Sequence, residues 1–138
     1  MSPNGYELRP IGRVRSPLVD RDAAPRQGDE GGPDAWLELD DSMQDALADL
    51  AVGDRLIVLT WLDRARRDVL AVHSRGDVGR GARGVFSTRS PDRPNPLGLH
   101  PVRVLAIEGT RIRVSDLEAL DGTPVVDLKP ELGPVGAR

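Results

Sequence analysis

The passage RGDVGRGARGVFSTRSPDRPNPLGL, residues 75–99, decides which kind of fold this chain can adopt. Glycines 79, 81 and 84 within it spell G-x-G-x-x-G, the spacing of a dinucleotide-binding turn. That spacing has meaning only between a strand and a helix, where the helix N-terminus receives a pyrophosphate. Residues 84–99 contain prolines 91, 94 and 96, which lack a backbone N–H and push the residue before them toward extended geometry, so no helix follows. A doubly wound nucleotide fold is therefore disfavoured. What remains is a stiff, arginine-bearing loop.

Such a loop loses conformational entropy on ordering and buries little in return, so an ordered one usually lines a site. Ser90, Arg93 and Asn95 each precede a proline. Arg89 and Arg93 then project from a restricted backbone, which suits planar recognition of an anionic or heteroaromatic ligand. A solvated Pro-rich surface loop is the competing reading. Val85, Phe86, Leu97 and Leu99, read as apolar anchors on either side of the polar core, favour the site.

Outward from this passage, short strand signals recur about every ten residues. Residues 55–62 (RLIVLTWL) are nearly continuous in apolar character and predict a buried central strand. Residues 70–73 give another short strand, and residues 101–107 and 111–115 predict two strands joined by a hairpin turn at 108–110. Asp121-Gly122 reads as a tight turn before a final strand at 125–128, and the tail 131–138 as frayed. Upstream, residues 6–15 read as an imperfect edge strand interrupted by Pro10 and Gly12, and residues 35–39 as a short strand. Met43, Ala46, Leu47 and Leu50 follow a helical period behind a capping box of Ser42 and Asp45, with Gly53 as the stop. The pattern predicts an all-β fold, a small closed or nearly closed β-barrel with one short helix.

A chain of 138 residues is one domain, able to bury about two thirds of its unfolded surface. It has no cysteine, which removes disulfides, thiolate catalysis and cysteine metal sites. Its two histidines, His73 and His100, do not form a ligand pair, so no metal site is expected. The N-terminus lacks the pattern of a signal peptide and no run is long enough to span a membrane, so a cytoplasmic enzyme or binding domain is the expectation. The net charge of -3 hides an asymmetry. Residues 63–93 hold eight arginines against four acids, whereas residues 1–62 hold twelve acids against six arginines. A basic belt on an acidic body fits an anionic partner, or simply a solvated arginine-rich loop.

Three blocks now carry a pattern. IGRVRSP with PRQ some residues later, then GVFSTRSPDRPNPLGL, then LEALDGTPVVDLKP resemble, in order and spacing, the TsaA-like family of β-barrel methyltransferases. The likeness spans roughly residues 8–130. It implies one barrel domain over residues 1–138 without a C-terminal accessory domain, using S-adenosylmethionine as methyl donor and acting as a homodimer. The family's best-known members methylate N6 of threonylcarbamoyladenosine beside the anticodon of a threonine tRNA. By motif, donor contacts are implied at Pro25, Arg26 and Gln27, at Arg89, and at Glu118, Ala119, Leu120 and Asp121. A further contact is implied at Asp63, where this chain has Leu62-Asp63 and the family a His-Gln pair.

The residue chemistry is compatible with those positions. S-adenosylmethionine has a sulfonium, an adenine and a zwitterionic amino-acid end, which call for a carboxylate or carbonyls near sulfur and a guanidinium for its carboxylate. Asp121 and Glu118 are candidates for the former, Arg89 and Arg26 for the latter. Methylating a nitrogen also requires loss of a proton, for which Asp121 and Asp127 are the candidate bases. Asp121 reads equally as a turn residue and Asp127 as an outward strand residue. Arg93 and Asn95 are the candidate substrate contacts, or else stabilise their own loop. Three acceptor classes stay open: a tRNA anticodon loop, a small molecule methylated on N or O, and no acceptor at all in a domain that only binds an adenine-containing or anionic ligand.

Overall fold

The computed structural model describes residues 5–20, 32–73 and 81–132. Six antiparallel strands close a barrel: β1 (Gly12–Arg15), β2 (Ala35–Leu39), β3 (Arg55–Trp61), β6 (Leu97–Glu108), β7 (Arg111–Val114) and β8 (Pro124–Pro130). Around the barrel the order is β1-β2-β7-β6-β3-β8, and β8 pairs back onto β1. Two short strands, β4 (Ala71–Val72) and β5 (Arg83–Gly84), form a separate ribbon. The closed barrel expected from the strand spacing is therefore the fold, but the 70–73 strand stands outside its wall.

Alternation builds the wall. On β3 the inward residues Leu56, Val58 and Thr60 are buried while Ile57, Leu59 and Trp61 are half-exposed. On β6 Gly98, His100, Val102 and Val104 point in. With Val14, Leu37, Ile112, Val114 and Val125 from the other strands, these residues fill the interior, as the two-residue period of a strand requires.

Four expectations are corrected. The first strand is no edge: Gly12 pairs with Leu39 on one side and Val125 on the other, closing the barrel. A Cβ at Gly12 would sit 2.3 Å from the Glu38 carbonyl oxygen and 2.7 Å from the Leu39 Cα, so the glycine that looked like an interruption permits the close approach. The expected short helix is present but is of 3-10 type, Asp41–Leu47, and lacks the expected side-chain cap. Its bonds, such as Met43 N–H to Asp40 O and Ala48 N–H to Asp45 O, span three residues, because so short a segment gathers few four-residue bonds. Strand β6 begins at Leu97, not 101. Pro101 is tolerated inside it because residues 97–102 pair only with β3; bonds to the β7 side begin at Arg103, which meets Ser115, and the β6–β7 ladder at Val104. Lastly, of the proposed apolar anchors only Val85 is buried; Phe86 is 86 % exposed, and Leu97 and Leu99 face outward.

Register sorts the connections between the two ends of the barrel. At the end termed upper, β1, β3 and β7 finish and β2, β6 and β8 begin, so segments 16–18, 62–68, 85–96 and 115–123 all emerge there. The lower end carries residues 40–54, where Met43, Leu47 and Leu50 pack against the core.

Candidate functional site

The upper end is closed by residues 115–123. Asp116, at φ 44, turns the chain out of β7, and Leu117 (0 % exposed) and Ala119 enter the core. Leu117 N–H donates to Pro33 O at 2.9 Å and Gly122 N–H to Val14 O at 2.7 Å. Gly122, at φ +84, supplies the left-handed turn that Asp121-Gly122 predicted. Leu120 is also buried, so Ala119 and Leu120 offer a ligand backbone groups more than side chains. Glu118 is half-buried between the buried Leu117 and Ala119.

Asp121 sits where this plug meets the chain leaving β1. Its Oδ1 accepts the Ser16 N–H at 3.0 Å and its own N–H donates to Leu18 O at 2.7 Å. Arg15 is held above the ordinary guanidinium pKa first by its hydrogen bond to Glu38, then by the charges of Glu38 and Asp121. The corner is thus acidic, half-buried and fixed by backbone bonds.

The proline-framed loop is fixed by its own arginine. The Arg93 Nε donates to Ser90 O at 2.8 Å, and its Nη2 donates to the carbonyl oxygens of Val85, at 2.7 Å, and Thr88. A planar fork serves this purpose because it reaches several carbonyls at once. The segment after β3 braces the loop from outside. Leu62 N–H donates to Pro96 O, Arg93 N–H to Arg66 O, and Arg66 N–H to Asp92 Oδ1. Arg67 reaches Pro94 O at 2.7 Å and Asn95 Oδ1 at 2.9 Å while lying 5.1 Å over the Trp61 ring. Arg93 and Asn95 are accordingly engaged within the loop.

The same segment ties the two regions together. Arg64 Nη1 donates to Val19 O, next to the Leu18 that bonds Asp121. Asp63 is exposed just beyond β3, at the same end. Arg89 is exposed on the loop and forms no hydrogen bond or ion pair among the described residues. The upper end therefore collects Asp63, Arg89, Arg93, Asn95 and residues 118–121. Asp127 stands apart, outward on the β8 wall opposite Leu59, with Lys129 at 3.7 Å and its Oδ1 accepting the Leu128 N–H. Pro25, Arg26 and Gln27 lie outside the described residues.

One feature of this end escaped sequence reasoning. His100, 6 % exposed, shares a 2.8 Å hydrogen bond with Thr60, whose side chain is fully buried. Desolvation lowers its pKa from 6.5 to about 4, so the imidazole is neutral. Gly98 makes room for the pair: a Cβ there would meet Thr60 Oγ1 at 2.4 Å and His100 Nε2 at 2.6 Å. The alternation of Gly98, His100 and Val102 was the available signal, once the strand is started at Leu97.

Residues 13–134 match the model of a family described as the tRNA-methyltransferase O N-terminal domain. A probable S-adenosyl-L-methionine-binding protein of Archaeoglobus fulgidus is 45% identical over 124 residues, 90% of this chain and 33% of that protein. One from Methanothermobacter thermautotrophicus is 45% identical over 130 residues, covering 94% of this chain and 93% of that one. A crystal structure of TrmO from Pseudomonas aeruginosa superposes with a TM-score of 0.75 at 30% identity, over 93% of this chain and 56% of that one. The chain thus spans about a third of the first relative and just over half of the solved TrmO chain.

Proposed function

This chain belongs to the family of tRNA-methyltransferase O N-terminal domains, and from that membership we propose that it is an S-adenosylmethionine-dependent N-methyltransferase acting on N6 of threonylcarbamoyladenosine next to the anticodon of tRNA. The observation that carries the reading is that Arg89, which has no hydrogen bond or ion pair among the described residues, and the acidic corner at residues 118–121 emerge at one barrel end from segments distant along the chain. That donor set fits the methyl donor: Arg89 for its carboxylate, and Asp121 with Glu118 and the backbone of Ala119 and Leu120 for its cationic part. Asp63 adds a carboxylate at the rim, and Pro25, Arg26 and Gln27 are assigned to the same donor by motif. Bound there, S-adenosylmethionine supplies an electrophilic methyl carbon.

The chain's own contribution is alignment and charge. In-line transfer demands a held geometry, and Arg93 and Arg67, with Asn95, hold the 85–96 loop by bonds to its carbonyls and to one another. Asp121 is the candidate acceptor for the proton lost by the nucleophilic nitrogen, since it lies at the converging end, whereas Asp127 lies on the wall beside Lys129. The arginine-rich segment 64–93 supplies the positive charge that draws in tRNA phosphates, with Arg66 and Arg67 themselves held in bonds to their own chain. A homodimer fits the outer wall of β3 and β6, where Ile57, Leu59, Trp61, Leu97, Leu99 and Pro101 form a continuous apolar face. The cytoplasm, where a tRNA acceptor is met, is the proposed compartment.

The purified chain is expected to bind S-adenosylmethionine with Kd in the micromolar range, about 8 kcal/mol. It is expected to pass labelled methyl only to tRNA carrying the threonylcarbamoyl group. Arg89→Ala should weaken donor binding at least tenfold. Donor binding with label entering neither tRNA would move the acceptor to a small molecule, the reading that the Leu62-Asp63 departure favours. Absence of donor binding would leave a domain that only binds another ligand.

A further inference from the structure

We propose that Phe86 is a stacking platform for a nucleobase of the acceptor RNA, with Arg83 holding a neighbouring phosphate; this rests on the tRNA reading above. Phe86 stands in the 3-10 turn Val85–Ser87 with 86 % of its surface exposed, while its neighbour Val85 is 2 % exposed. Leaving a phenylalanine in water forgoes roughly 1.5–3 kcal/mol of burial, so a turn that fixes it outward suits a partner that covers the ring. The turn is well fixed. Val85 N–H donates to Leu70 O and Thr88 N–H to Val85 O, each at 3.0 Å, and Arg93 clasps the carbonyls of Val85 and Thr88. With Val85 taking the inward position, the ring is presented rather than collapsed.

Charge selects the partner. Arg66 pairs with Asp68, Arg67 with Pro94 and Asn95, and Arg93 with its own loop, but the Arg83 guanidinium forms no hydrogen bond or ion pair among the described residues. Arg83 lies three residues before the ring and Arg89, assigned to the methyl donor, three residues after it. A cation, an exposed aromatic and the arginine assigned to the donor, in that order along the chain, match a single strand's alternation of phosphate and base. The two tryptophans are less open to this role, since Arg111 lies 4.4 Å over Trp36 and Arg67 over Trp61. Tyr6 precedes β1 and so lies toward the lower end.

The test titrates a fluorescein-labelled anticodon stem-loop RNA into wild type, Phe86→Ala, Phe86→Trp and Arg83→Ala across a salt series, with S-adenosylmethionine binding, melting temperature and elution volume as controls. Phe86→Ala should weaken RNA binding about fivefold to a hundredfold without changing the salt slope, and Phe86→Trp should retain it. Arg83→Ala should reduce the slope by about 0.7. Donor affinity, melting temperature and elution should be unchanged in Phe86→Ala. Wild-type RNA affinity in Phe86→Ala overturns the proposal alone, as does a loss of RNA binding accompanied by a shift from dimer to monomer, which would make Phe86 an interface residue. A wild type that binds no RNA overturns the tRNA reading and this proposal together.

Discussion

Gly12→Ala is expected to destabilise the barrel by about 3 kcal/mol or more. The added carbon would lie 2.3 Å from the Glu38 carbonyl oxygen and 2.7 Å from the Leu39 Cα, and both obstacles are backbone, so no side chain can swing aside. Gly12 and Arg13 are also the residues through which β1 pairs with both β2 and β8, so moving Gly12 opens the ring. Gly84→Ala is the matched control. Its φ of -60 suits any residue and nothing lies within 4 Å of the new Cβ, so it should be neutral or up to about 1 kcal/mol stabilising. Urea unfolding of the two variants separates clash from loss of flexibility.

The second large effect is a loss of stability in mild acid that traces to His100. In the unfolded chain the imidazole ionises near 6.5, whereas in the barrel desolvation holds it neutral to about 4. Above pH 6.5 neither state binds the proton and the native state keeps its full stability. As the pH falls from 6.5 to 4 only the unfolded chain takes it up, so stability drops by about 1.4 kcal/mol per unit, on the order of 3 kcal/mol across the window. His100→Gln removes the titrating group while leaving a side chain able to bond Thr60. Its stability at pH 7 can differ in either direction, but the difference in slope between pH 6.5 and 4 is the quantity read. Parallel slopes for wild type and variant would show that the ring is hydrated in the native barrel.

The strand spacing made the barrel legible, because alternation in segments such as 35–39 and 111–115 maps directly onto an inside and an outside. Prolines and glycines were harder. Gly12 and Pro101 looked like interruptions, and each is accommodated by a feature of pairing that no single segment reveals: a close crossing of strands in one case, a missing neighbour in the other. The 41–47 segment had the apolar period of a helix but not the length to sustain one. At the upper end, the proline-framed loop and the Asp121-Gly122 turn were both visible as local patterns. Which arginine serves the loop and which stays open was not, since Arg93 and Arg89 differ only in what folds around them. Phe86 is the inverse case: an apolar residue beside a buried valine reads as core until the turn is seen to present it.

The division of labour that results is simple. Arg93 and Arg67 stiffen the loop, Asp121 anchors the opposing corner, and Arg89 is left with its guanidinium free among the described residues. The most direct test of this arrangement is a crystal structure of the chain grown with S-adenosylhomocysteine. The ligand's carboxylate is predicted to lie against Arg89 and its sulfur to face the corner formed by residues 118–121. Ligand seated elsewhere, for instance in the shallow hollow on the outer wall lined by Arg13, Arg15, Glu38 and Asp41, would contradict the account.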